Sequence, residues 1–89
     1  MSEKQKLSPQ GEVLEQLIRT IVGGIVDDPA AIHIVVVESG STVVIELTVA
    51  RSDIGKVIGR QGSMARALRT VLSNAATKHS RRSVLQIIE

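Results

Sequence analysis

Residues 53–69 read DIGKVIGRQGSMARALR, and this stretch decides the fold. Ile54, Val57 and Ile58 share one side of a short helix, which Gly59-Arg60-Gln61-Gly62 then breaks. Ser52 is expected to cap that short helix, with the charge of Asp53 suiting its N-terminal dipole. Ser63 is expected to cap a long second helix running to about Lys78. Its buried stripe is Met64, Ala65, Leu68, Val71, Leu72, Ala75 and Ala76, with Arg66 and Arg69 off the stripe. Small side chains at Ala65, Ala67, Ala75 and Ala76 allow close packing. Two glycines three apart mean little alone, since ordinary glycine usage produces the spacing by chance roughly 0.4 times in such a chain. Here the turn joins two helices, carries Arg60 and opens into a helix N-terminus. Glycine lets a nucleotide backbone approach without a Cβ in the way. The free N–H groups of the following helix favour phosphate. Arg60 adds positive charge, and Gln61 hydrogen-bonds in either direction. The plain alternative is a helix–helix turn whose glycines only permit positive φ.

Working back toward the N-terminus, Thr42 to Val49 alternates cleanly. Val43, Ile45, Leu47 and Val49 lie on one face of a strand. Ser39-Gly40-Ser41 is a turn, and Ala31 to Glu38, rich in Ile and Val, is the other arm of an antiparallel hairpin. Val35, Val37 and Val44 leave apolar surface on its outer face. Ser8-Pro9 starts a helix, with Ser as N-cap and Pro in the first turn. Val13, Leu14, Leu17, Ile18, Ile21, Val22, Ile25 and Val26 give it one apolar stripe. That stripe continues past Gly23-Gly24, so the helix is expected to reach Val26 and to end at Asp27-Asp28-Pro29. Residues 1–7 read as a frayed tail, and residues 8–89 as a single domain. After the long helix, Ser80-Arg81-Arg82 is a loop and Ser83 to Ile88 a closing strand. The order is α-β-β-α-α-β. It predicts an α+β layer, a three-stranded sheet with helices on one face. Parallel pairing of the second and third strands would need the two-helix crossover between them.

The composition narrows the function. The 89 residues include no Cys, Phe, Trp or Tyr. Disulfides, thiolate zinc sites and thiol chemistry are excluded. So are nucleic-acid readers that stack bases on aromatic platforms. His33 and His79 are too few for a metal cage, and no cofactor is expected. Net charge is only +2, but it is divided: residues 1–50 carry −4 and residues 51–89 carry +6. No acid occurs between Ile54 and Ile88, where Lys56, Arg60, Arg66, Arg69, Lys78, Arg81 and Arg82 all fall. That half presents a positive field to which phosphate is the obvious counterpart. No apolar run approaches the ~20 residues that span a bilayer. The first ten residues show no secretory leader, so a cytoplasmic protein with no membrane partner is expected.

Ile54 to Gly62 resembles the V-I-G-x-x-G signature of KH domains, and the preceding helix and hairpin match the type II topology. The likeness covers about residues 9–89. With Ala-Arg-Ala-Leu-Arg after the turn, the chain is similar to the small bacterial single-KH RNA-binding proteins, some of which pair with Jag, a larger KH-containing protein. The resemblance implies a clamp holding about four single-stranded nucleotides. Its loop falls on Gly59, Arg60, Gln61 and Gly62, and its apolar groove floor on Ile54, Val57 and Ile58 with Ala65 and Leu68. The opposite wall falls near Ile45 and Leu47, and the variable loop on Lys78 to Arg82. Bases would lie on aliphatic side chains. Many KH domains carry Ile where Ala65 stands, so the resemblance implies a groove that is wider or makes less apolar contact. Arg60, Lys56, Ser63, Arg66 and Arg69 are the expected contacts to the RNA backbone.

Enzyme readings fail on inventory. There is no Cys nucleophile, no Ser/His/acid set, no spaced catalytic carboxylate pair and no G-x-x-x-x-G-K-[ST] phosphate loop. Two readings of different class stand. One is a single-stranded RNA-binding module, an RNA chaperone or post-transcriptional regulator. The other is a KH-fold interaction module that dimerises or docks on a partner. Homodimerisation, or pairing with a Jag-like chain, serves both, because one clamp covers few nucleotides.

Overall fold

A computed structural model describes residues 7–89. Of the tail expected over residues 1–7, only Leu7 falls among them; residues 1–6 lie outside the described residues. The elements are α1 (Pro9–Gly23), β1 (His33–Ser39), β2 (Thr42–Thr48), α2 (Ile54–Ile58), α3 (Ser63–Thr77) and β3 (Arg82–Ile87). Short 3₁₀ turns cover Pro29–Ala31, Arg51–Asp53 and Arg60–Gly62. The order is the α-β-β-α-α-β expected. The sheet runs β1-β2-β3, antiparallel between β1 and β2 and parallel between β2 and β3.

The strand alternation translates directly into layers. Val43, Ile45 and Leu47 of β2 are wholly buried, and Val49 nearly so. Their neighbours in register are Val36 opposite Ile45, Ile34 opposite Leu47, and Leu85 beside Ile45. On this inner face they meet Leu14, Ile18 and Val22 of α1 and Leu68, Leu72 and Ala76 of α3. Each Val, Leu or Ile side chain fully withdrawn from water contributes about 1.5–3 kcal/mol. The other face stays open, with Val35, Val37 and Val84 about half exposed. The hairpin closes with Ser39 opposite Thr42, leaving Gly40-Ser41 as a two-residue loop with Gly40 at φ +59°, as a glycine-first hairpin turn requires.

Several boundaries differ from expectation. α1 ends at Gly23, not Val26: the Gly24 N–H turns back onto the Ile21 carbonyl at 3.1 Å. Two successive glycines weaken the helix by about 2 kcal/mol against alanine, more than the last turn could return. Val26 is buried all the same, delivered to the core by the loop. Val13 and Val71, expected in the buried stripes, are exposed by 52% and 40%, because each lies on the outward margin of its stripe. Ala67 is exposed as well. β1 starts at His33 after a 3₁₀ turn, and β3 takes in Arg82. Ser52 lies inside a 3₁₀ turn and caps nothing; Ser63 is the first helical residue of α3, not its cap, and Gly62 holds the cap position.

Candidate nucleic-acid interface

α2 ends where Gly59 turns the backbone to φ +77°, and Gln61 and Gly62 follow at φ +56° and +76°. Three left-handed residues in four bring the chain back into α3. A Cβ at Gly59 would stand 2.7 Å from the Met64 N and Cβ atoms, so only glycine fits. At Gly62 the nearest atom would be Arg66 Nη1 at 3.3 Å, the far end of a flexible side chain. The Gly62 N–H donates to the Gly59 carbonyl at 3.1 Å, and Arg66 Nη1 donates to the Gln61 carbonyl at 2.8 Å. The turn is thus tied at its base while Arg60 and Gln61 stand exposed at its tip. No side chain caps the first N–H groups of α3, and its first turn contains no acid. Such a helix end is suited to an anion.

Beside the turn lies a cavity of about 280 Å³ lined by Ile58, Gly62, Ala65, Arg66, Arg69, Ile87 and Glu89. Ile58 and Ala65 supply the apolar surface expected of a groove floor. Arg69 donates from Nε and Nη2 to the Leu85 carbonyl, both at 3.3 Å. The N–H groups of Arg82 and Ile88 point to β2, which puts Leu85's backbone groups on the open edge of β3. Arg69 therefore covers the strand edge that borders the cavity. A larger groove of about 680 Å³ runs along α1, lined by Pro9, Glu12, Val13, Gln16, Leu17 and Thr20. It contains no base and lies apart from the glycine turn, so its size does not make it the nucleic-acid site.

Other expected groove residues sit elsewhere. Val57, Leu68, Ile45 and Leu47 have essentially no accessible surface, and Ile54 packs against the core. They hold the groove from behind. The wall facing α3 comes from the end of β3, at Ile87 and Glu89, because β2 is the central strand and both helices cover its inner face.

Lys56 does not line the cavity. Its ammonium donates to the Asp27 carboxylate and lies 3.7 Å from Asp53 Oδ1. Asp53, expected at the start of the short helix, is 1% exposed and accepts the N–H groups of Asp27 and Asp28 at 3.1 Å each. The Asp27 N–H bond foremost, with help from Asp28 and Lys56, holds the Asp53 carboxyl below the usual range. The hydrogen bond to Asp27 chiefly raises Lys56 above the ordinary lysine value. Sequence reading missed this cluster. Its only trace was an acid placed directly before a long acid-free stretch.

Arg81 is likewise engaged. It donates to Glu38 at 2.7 Å and to the Ser8 hydroxyl at 3.3 Å, and both side chains of the Glu38 pair are 17% exposed. Ser8 donates to Glu38 from its N–H at 2.8 Å and from its hydroxyl at 2.6 Å. Led by that hydroxyl, these bonds lower the Glu38 carboxyl below its ordinary value. Lys78 and Arg82 remain exposed. Among the described residues no cluster of His, Asp and Glu could hold a metal ion, and no helix is long and apolar enough to cross a membrane.

Comparison with known proteins finds relatives over most of the chain. Residues 15–87 match the family described as KhpA/KhpB, KH domain. The RNA-binding protein KhpA of Clostridium acetobutylicum is 43% identical over 75 residues, covering 84% of this chain and 100% of the relative. That of Borreliella burgdorferi is 42% identical over 74 residues, covering 83% and 90%. That of Aquifex aeolicus is 41% identical over 76 residues, covering 85% and 96%.

Proposed function

The chain belongs to the KhpA/KhpB KH-domain family, and from that premise we propose that it binds single-stranded RNA at the Gly59–Gly62 turn. The observation that carries this reading is the turn itself. Its two glycines present an uncapped helix N-terminus, with Arg60 and Gln61 exposed over it. A phosphate placed there receives α3 N–H groups, the Ser63 hydroxyl and the Arg60 guanidinium. Ile58 and Ala65 offer aliphatic surface to the adjoining bases, and Arg66 and Arg69 flank them. This serves a chain without aromatic residues, since a KH clamp of about four nucleotides works by backbone contact and base-edge bonding. The curated relatives are RNA-binding proteins by name, which supports the same ligand.

The role that follows is that of an RNA chaperone or post-transcriptional regulator in the cytoplasm, with no catalysis. So short a clamp binds weakly alone, so a second domain raises its avidity, through self-association or a larger Jag-like KH chain. The half-exposed Val35, Val37 and Val84 favour, as a second reading, a protein that works mainly by docking. Fluorescence anisotropy with short labelled single-stranded RNA decides between the readings. RNA binding predicts saturable association whose log affinity falls with log salt by about 0.7 per phosphate contact. Absence of binding by the folded chain at high protein concentration overturns it in favour of the docking reading.

A further inference from the structure

We propose that Asp53, Lys56 and the Asp27–Asp28 turn form a latch that sets the pose of α2 and so pre-shapes the Gly59–Gly62 clamp, with Lys56 as a positioning residue and not a phosphate contact. The inference rests on the RNA-binding reading for its functional consequence, and on geometry for the latch itself.

α2 has five residues, Ile54–Ile58. A helix that short cannot hold itself, because nucleation costs more than so few bonds return. Its pose must come from attachments. Toward the sheet, it is fixed by Val57, fully buried in the core. At its start it is fixed by Asp53, which does not cap α2 itself but reaches across to the loop after α1. A carboxylate buried to 1% exposure is tolerable only when bonded and neutralised. The two N–H groups do the first and Lys56 the second, from one turn further along the same helix. Lys56 then closes the ring by donating to the side chain of Asp27, whose backbone N–H already holds Asp53.

The two kinds of contact differ in strength. The bonds to Asp53 are buried and charge-assisted, about twice as strong as neutral ones. The Asp27 side chain is 80% exposed, so its pair with Lys56 is labile and screened by salt. Asp53 is thus the anchor and the Lys56–Asp27 pair its trim. Downstream, the Gly59 N–H donates to the Gly55 carbonyl and the Gly62 N–H to the Gly59 carbonyl, at 2.9 and 3.1 Å. Any tilt of α2 therefore passes into the turn.

The test uses Asp53→Asn, Lys56→Met, Asp27→Asn and the double variant Asp27→Asn/Lys56→Met in the full chain. Native-state hydrogen exchange follows the amides of Asp27, Asp28, Gly59 and Gly62, and anisotropy follows a short single-stranded RNA over a range of salt. In Lys56→Met all four amides exchange faster, and RNA affinity falls about threefold to tenfold, as for loss of one modest hydrogen bond. The salt slope stays that of the native chain. Asp27→Asn acts in the same direction, and the double variant is no worse than the worse single one, since both remove the same contact. Asp53→Asn exceeds all three. The proposal falls if Lys56→Met leaves the turn amides unchanged and lowers the salt slope by about 0.7, the mark of a lost phosphate contact. It falls too if Asp27→Asn binds RNA more tightly, which would make Asp27 a mere competitor for Lys56. Should Asp53→Asn fail to fold, the two surface variants still decide. If the native chain binds no RNA, the clamp reading fails, while the exchange rates judge the latch alone.

Discussion

The two long helices begin in opposite ways. At α1, the Ser8 hydroxyl accepts the Gly11 N–H at 3.0 Å while Glu38 and Arg81 hold Ser8 in place, and Glu12 lies in the first turn. At α3 the cap position is Gly62, no side chain bonds the first N–H groups, and the neighbouring charges are Arg60 and Arg66. Both ends carry the same macrodipole, and both lack intrahelical carbonyl partners for their first-turn N–H groups, although Pro9 contributes none at α1. The difference is that the protein caps one with its own side chain and leaves the other without a side-chain cap. A helix start capped by a fold-wide network is structural. One left bare after two glycines, in an acid-free stretch, is where binding is proposed.

Four measurements test this contrast. The largest concerns the bare end. Replacing Arg60 and Gln61 by Asp should lower RNA affinity at least about 100-fold, while the thermal midpoint moves little, since both side chains are exposed. A variant that unfolds would make the turn structural and erase the contrast. Next come the two glycines. Gly59→Ala drives a Cβ to 2.7 Å from Met64 backbone and side-chain atoms at positive φ, and should cost about 2–4 kcal/mol in urea unfolding. Gly62→Ala meets only the tip of Arg66 and should cost about 1–2 kcal/mol, the strain of left-handed backbone alone. Equal costs would show that the turn is not built around Met64.

At the closed end, Ser8→Ala should destabilise the fold by about 1–2 kcal/mol and leave RNA affinity within about twofold. A large loss of binding would mean that the two ends are not separate in function. The smallest effect is in pH. Asp53 and Glu38 both titrate lower in the folded chain than unfolded. Their contribution is therefore fully present above the unfolded values, near about 4, and is lost as pH falls through the folded ones. Denaturant midpoints measured from pH 7 downward should be flat to about pH 5 and then decline. Glu38→Gln should make that decline shallower, and a decline that begins near pH 6 would contradict the assignment.

The elements were largely legible because their signals are local. Alternation from Thr42 to Val49 is a property of consecutive residues, and the buried side chains of β2 follow it one for one. Ser8-Pro9 announced its helix, and the glycine turn lay where the spacing put it. Reading failed at margins and across distance. Val13 and Val71 satisfy helical periodicity yet lie outside the core, since a stripe's width depends on what covers it. Lys56 and Arg81 look like Arg60 in sequence, three bases in one acid-free stretch. Their partners Asp27 and Glu38 stand 29 and 43 residues away, and no local pattern joins them.

The order of elements, the sheet face of β2, the glycine turn between two helices and the division of charge were determined by the sequence alone. Each rests on neighbours a few residues apart, whose backbone preferences and side-chain periods are short-range. Tertiary structure alone decided which bases are free. Arg60 stands exposed at the turn, whereas Lys56 and Arg81 are spent on carboxylates brought from other elements. It also decided that β3, not β2, borders the cavity, and that Asp53 is a buried anchor and not only a charge at a helix start. Those outcomes depend on which distant groups the packed core sets within hydrogen-bond reach, and a charge is available to a ligand only when no such group has already claimed it.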